Sequence, residues 1–144
     1  MSKAEPLIKE VLLNAPASKV WKAITDKNDM KLWYFEIDEF NPEIGFEFRF
    51  WGDDGKKKWL HLCKITEVIK EQKLTYSWKY DGYAGNSFVT FELFPLGDKT
   101  KLKLTHAGVE SFQSDVNLEF KRENFNAGWT ELIERSIKEF VERA

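Results

Sequence analysis

The hydrophobic pattern of this chain changes period between its middle and its C-terminal end, and that change limits what it can fold into. Through the middle of the sequence, large apolar residues recur at every second position. Phe46, Phe48 and Phe50 alternate with Glu47, Arg49 and Trp51. Leu74, Tyr76, Trp78 and Tyr80 alternate with Thr75, Ser77 and Lys79. Side chains two apart share one face of a strand, so each run predicts a half-buried strand. From Phe125 onward the spacing becomes three and four, through Trp129, Leu132, Ile133, Ile137, Phe140 and Val141. That is the stripe of an amphipathic helix. A sheet and a helix that are each apolar on one side bury those sides against one another.

The remaining strands follow the same logic. Leu7 to Leu13 is expected to be the first strand. A strand over residues 57–69 places Trp59, His61, Cys63 and Ile65 on one face, with Leu60 and Leu62 on the other; its facing is ambiguous. Val89, Phe91 and Leu93 define another strand, and Leu102, Leu104 and His106 the last. Turns are expected at residues 52–55, with Lys56-Lys57-Lys58 as a solvated run, at 71–73 and at 95–98. Short turns between successive strands imply an antiparallel meander.

Two short helices are expected between the first strand and the meander. Pro16 suits a first helical turn because its φ is fixed and it lacks an N–H. Val20, Trp21 and Ile24 follow at helical spacing, and Thr25-Asp26 can cap a second helix running to about Trp33. The final helix is expected over residues 122–143, about 33 Å at 1.5 Å per residue. Glu131–Arg135, Glu134–Lys138 and Glu139–Arg143 are spaced to pair along it.

A single domain over residues 1–144 is expected, since this length forms one core. The net charge of −2 comes without a basic stripe, so no nucleic-acid partner is expected. Cys63 is the one cysteine, which leaves no disulfide framework and no cysteine metal site. No segment approaches the ~18 apolar residues of a membrane span. Residues 1–6 lack the apolar stretch of a signal peptide, so a cytoplasmic location is the expectation.

Placed in order, the elements describe an α+β fold. A curved antiparallel sheet wraps around a long C-terminal helix, with two short helices after the first strand. Ala15-Pro16, Val20-Trp21, Thr25-Asp26 and Trp33-Tyr34 then resemble the opening signature of a known family. Gly45-Phe46 with Phe48, the run from Leu74 to Trp78, the run from Thr100 to His106, and Asn126-Ala127-Gly128-Trp129 with Leu132 continue the match. The sequence resembles a START-like (SRPBCC) helix-grip domain, and within that superfamily the heat-shock-protein ATPase activator homologue family. The resemblance spans nearly the whole chain.

An aromatic-rich concave sheet facing a helix points to an apolar cavity. The expected function is binding of a small hydrophobic or amphipathic molecule there. The candidate ligand-binding residues are Trp33, Phe48, Phe50, His61, Tyr76, Trp78, Phe91, His106, Trp129 and Ile133. Each has a plainer reading as core, and the two histidines as hydrogen-bonded core or rim residues. Trp33-Tyr34 is expected near the cavity entrance. Gly128 reads either as close approach of helix to sheet or as space at the cavity mouth. Ser136 reads either as bonded back to its own helix or as a polar point in the cavity.

The family resemblance implies an alternative, a module that stimulates a chaperone ATPase. A second alternative is a cyclase-like enzyme using a cavity histidine, because some START-like relatives are cyclases. Motifs of hydrolases, metalloproteases and phosphate loops are missing from the sequence. Catalytic residues, metal ligands and cofactors are therefore not assigned, and the chain is expected to be a monomer or homodimer.

Overall fold

The computed structural model describes residues 5–53, 58–83, 85–112 and 122–143. Of the expected turn at 52–55, Gly52 and Asp53 are strand instead, while residues 54–57 lie outside the described residues; Lys58 is exposed. Strand β1 is Leu7–Leu13, followed by helices α1 (Ala17–Thr25) and α2 (Lys27–Trp33). Strands β2 (Glu47–Asp53), β3 (Lys58–Ile69), β4 (Lys73–Tyr80), β5 (Ser87–Leu96) and β6 (Lys99–Ala107) come next. They form one antiparallel sheet in the order β1-β6-β5-β4-β3-β2. Successive strands are neighbours from β2 to β6. Helices α1 and α2 carry the chain from β1 at one edge to β2 at the other.

The break between the short helices is built by Asp26. Its carboxylate accepts from the N–H groups of Asn28 and Asp29, which start α2. Trp33 then folds back and donates its indole N–H to the Ala23 carbonyl at 2.7 Å, locking α2 against α1. Pro16 stands just before α1, and the buried Thr100 hydroxyl holds the adjacent Ala15 carbonyl at 2.8 Å.

The period-two pattern decides the facing throughout. Trp59, His61, Cys63 and Ile65 are buried, as are Tyr76, Trp78, Tyr80, Val89, Phe91, Leu102, Leu104 and His106. Phe46 is only half-buried at the margin of this face. The expected turn at 95–98 is shorter in fact. β5 runs to Leu96, Pro95 pairs with Thr100, and Gly97-Asp98 make the turn. Beyond the Glu92–Lys73 pair, the ladder between β4 and β5 ends. A proline without an N–H is tolerated at such an edge. Gly97 supplies the positive φ, 72°, that a two-residue hairpin needs.

The C-terminal helix is not a uniform α-helix. It comprises α3 (Arg122–Trp129), a π-helical segment (Thr130–Ser136) and α4 (Ile137–Val141). The Ile137 N–H reaches the Leu132 carbonyl, an i→i+5 bond. The reason lies in the buried stripe Trp129, Ile133, Ile137 and Val141, whose members are four apart. At 3.6 residues per turn, a spacing of four drifts by about 40° per step. The wider π turn holds more residues and offsets that drift. Phe125, Leu132 and Phe140 lie at the margins of the stripe, half-buried.

Of the expected ion pairs along this helix, Glu131–Arg135 forms. The other two are replaced. Glu134 meets Lys9 of β1, Lys138 meets Glu142, and Glu139 meets Arg135. No helix of the described residues is long and apolar enough to cross a membrane.

Candidate functional site

The concave face of the sheet and the C-terminal helix enclose a continuous set of rings. Phe50 stacks on His61, with centroids 4.5 Å apart. Phe48 meets Tyr76 edge-on at 5.0 Å. Trp78 touches Phe50, His61, His106 and Trp129. Phe91 meets Trp129 edge-on, and Ile133 is fully buried beneath the helix. Nine of the ten residues expected to line a site thus share one interior, between sheet and helix.

Trp33 joins the same core through Tyr34. Its indole is spent on α1, and the residue is buried between the short helices. The position at the centre belongs to Tyr34. Its ring stacks on Trp33 at 4.8 Å and reaches Phe50, Phe91 and Trp129. Its hydroxyl bonds to that of Tyr76 at 2.7 Å. Of the Trp33-Tyr34 pair, it is thus Tyr34 whose ring reaches Phe50, Phe91 and Trp129. The adjacency of Tyr34 to Trp33 was the available signal for it.

Two lines of polar atoms cross this apolar interior. The first runs from helix to sheet. Trp129 donates its indole N–H to His106 Nδ1 at 2.9 Å. His106 Nε2 lies 2.8 Å from the Ser87 hydroxyl, which donates to the Trp78 carbonyl at 2.8 Å. Because Nδ1 accepts, Nε2 carries the proton and donates to Ser87. Ser87 is two residues before Val89 on β5, so its inward facing was legible from the same alternation.

The second line is the tyrosine pair. Burial, with the neighbouring hydroxyl and thiol, holds the Tyr34 phenol well above its ordinary pKa, and Tyr76 is raised chiefly by burial. Burial likewise raises Cys63 and Tyr80, the latter accepting from the Trp78 indole at 2.9 Å.

Both histidines are neutral. Burial pulls His106 down to about 3, helped by the proximity of His61. Burial pulls His61 down to about 4, against the pull of the Trp59 and Phe50 backbone; its Nδ1 lies 3.1 Å from the Trp59 carbonyl. Burial thus favours the uncharged ring of each at neutral pH. Among the described residues, no group of three His, Cys, Asp or Glu side chains is placed to hold a metal ion.

Ser136 and Gly128 depart from expectation. Ser136 donates at 2.7 Å to the carbonyl of Trp33, not to its own helix. The bond ties the end of the π segment to the end of α2, immediately before Tyr34. Gly128 is on the exposed side of α3, and a Cβ there would meet nothing within 4 Å. Among the described residues it marks no close approach of helix to sheet.

A curved antiparallel sheet gripping a C-terminal helix around an aromatic interior defines a START-like (SRPBCC) helix-grip protein. Residues 14–142 match the family described as Activator of Hsp90 ATPase homolog 1-like protein. The chain belongs to that family. Solved structures agree. BH1534 from Bacillus halodurans is 27% identical with a TM-score of 0.76, covering 99% of this chain and 100% of its own. CalU16 from Micromonospora echinospora is 26% identical with a TM-score of 0.70, covering 94% and 74%. CV1439 from Chromobacterium violaceum, 19% identical with a TM-score of 0.81 over 97% and 99%, shares the fold. No curated protein sequence matches the chain.

Proposed function

We propose that the protein binds a small hydrophobic or amphipathic molecule between the sheet and the C-terminal helix. Phe48, Phe50, His61, Tyr76, Trp78, Phe91, His106, Trp129 and Ile133 would line the site, with Trp33 behind Tyr34. The carrying observation is Tyr34. A half-buried residue at the end of α2 supplies the ring at the centre of the interior, held there at its tip by one hydroxyl pair. Swinging that ring out vacates space bounded by Phe50, Phe91 and Trp129, with the Tyr76 hydroxyl as a polar point. Such a space suits an apolar body with one polar group.

Tryptophan-fluorescence titration with fatty acids, sterols and aromatic polyketides tests this, alongside native mass spectrometry of the purified protein. Saturable binding at micromolar concentration is expected, and Tyr34→Ala should tighten it by removing the competing ring. If nothing co-purifies and no compound binds either form below millimolar concentration, the reading fails.

A second reading has the family's description behind it: stimulation of a chaperone ATPase. The measurement is the ATPase rate of the Hsp90-type chaperone from the same source, with and without this protein. An unchanged rate at saturating protein would end that reading.

A further inference from the structure

The outer face of the sheet carries a groove lined chiefly by outward-facing residues, with Phe48 and Cys63 at its floor. Its volume is about 720 Å³, and it crosses β2, β3 and β4 to reach Gly85-Asn86. Its floor coincides with an interruption of the β3–β4 ladder in which the register does not change; the register shifts only beyond it, between Ile65 and Glu67. β3 and β4 pair at Leu62–Lys79 and next at Ile65–Tyr76. Between those points Ser77 stands in for the backbone ladder. Its hydroxyl accepts from the Lys64 N–H at 3.1 Å and lies 3.5 Å from the Lys64 carbonyl.

Three neighbouring strands each contribute a cation to this groove. Arg49, Lys64 and Lys79 are all exposed, against the single carboxylate of Glu47. Among the described residues, no ion pair is formed by any of the three. Elsewhere on the sheet Lys73 and Lys101 each meet a glutamate. Beside the groove lies a smaller hollow of about 430 Å³ that shares Arg49 and is lined by Trp51 and Leu60. Trp51 is 62% exposed. Exposed Trp beside Arg is the composition of an interface hot spot. Glu36 and Asp38 also line this hollow.

This layout selects an occupant. The groove is only half enclosed, and a small molecule needs enclosure that buries roughly 70–90% of its surface. Four adjacent chain segments at ~4.8 Å spacing span roughly 14 Å, the reach of about four extended residues at ~3.3 Å each. The charge favours an acidic occupant: three cations line the groove against one carboxylate. We propose that this groove binds an acidic peptide segment of a partner protein. Its carboxylates lie against Arg49, Lys64 and Lys79, and an apolar side chain at one end packs on Trp51. The proposal does not depend on the interior holding a ligand.

Titrating the isotope-labelled full chain with a blocked peptide of consecutive glutamates ending in leucine, followed by amide NMR shifts, is the test. Saturable shifts confined to β2, β3, β4 and the Gly85-Asn86 loop are expected. Raising the ionic strength from about 0.01 M to about 0.15 M shortens the Debye length from ~30 Å to ~8 Å, and binding should weaken about tenfold. Arg49→Glu combined with Lys79→Glu should abolish the shifts while leaving the spectrum folded. Lys99→Glu, at the far end of the sheet, should change nothing. Trp51→Ala should weaken the leucine-ended peptide and not an all-glutamate one. Scattered shifts, equal binding by the charge-reversed variant, or tripolyphosphate filling the groove where the peptide does not would each overturn the proposal.

Discussion

Trp129 donates its indole N–H to Nδ1 of His106 at 2.9 Å, and this one bond settles the protonation of the interior. An accepting Nδ1 makes His106 a neutral donor through Nε2, and the chain closes on Ser87 and Trp78. Protonating His106 would turn Nδ1 into a donor facing another donor.

A pH dependence follows. The ordinary histidine pKa is about 6.5, while His106 and His61 stand at about 3 and about 4 in the folded chain. Between those values the unfolded chain binds protons that the folded chain refuses, so stability rises with pH across that window. The stabilisation is complete above about pH 6.5 and is lost as pH falls through the folded values. Each histidine contributes a slope of up to about 1.4 kcal/mol per pH unit. Melting curves from pH 7 to pH 4 should show Tm falling on acidification. His106→Gln, whose amide can keep both hydrogen bonds, should flatten the fall. An equal slope in the variant would mean that His106 is not the source of the pH dependence.

The Ser136–Trp33 bond predicts a local effect. Ser136→Ala removes the donor that satisfies the last carbonyl of α2, an otherwise orphaned group of a helix end. A loss of about 1 kcal/mol in global stability is expected. The stronger signature is in hydrogen exchange. The Tyr34 N–H, bonded to the Met30 carbonyl, should exchange faster, while amides in β5 and β6 keep their protection. Uniformly faster exchange would mean that the bond carries no local role.

Gly52 carries a prediction of close approach. A Cβ built there would stand 2.7 Å from Cε1 of His61 and 3.4 Å from Cε1 of Phe35. His61 has no room to retreat, being stacked on Phe50 and edge-on to Trp78 and Tyr80. Gly52→Ala should therefore destabilise the fold by about 1–3 kcal/mol, the usual cost of overpacking. The His61 ring proton resonances should move with it. Neutral stability with unmoved His61 signals would show that the strand shifts freely.

How much of this was legible beforehand varies with the physics involved. Strict alternation at Leu74, Tyr76, Trp78 and Tyr80 fixes the facing of β4, because period two leaves no second solution. The capping role of Asp26 was equally readable, since short polar side chains compete for helix starts. The π segment was not, because a stripe with spacings of three and four fits an α-helix until the sheet demands alignment of Trp129, Ile133, Ile137 and Val141. The occupant of the interior was not legible either. Trp33 and Tyr34 are adjacent aromatics, and only the backbone turn at the end of α2 decides which one enters. The outer groove draws Arg49, Lys64 and Lys79 from three strands, each of which reads as ordinary polar alternation when taken alone.

Tyr34 offers the sharpest test of the interior. Tyr34→Phe keeps the ring against Trp33, Phe91 and Trp129 but removes the hydroxyl that faces Tyr76 at 2.7 Å. The Tyr76 hydroxyl, on a residue with no exposed surface, then lacks that partner. Leaving a buried hydroxyl unsatisfied costs about 1–3 kcal/mol, and a drop in denaturant midpoint of that size is expected. The double change Tyr34→Phe with Tyr76→Phe should recover most of the loss, because no polar group is then stranded. The coupling between the two sites, read from a double-mutant cycle, should be at least about 0.5 kcal/mol. Additive losses would mean that the two hydroxyls reach other partners, and that the bond does not hold Tyr34 in the interior.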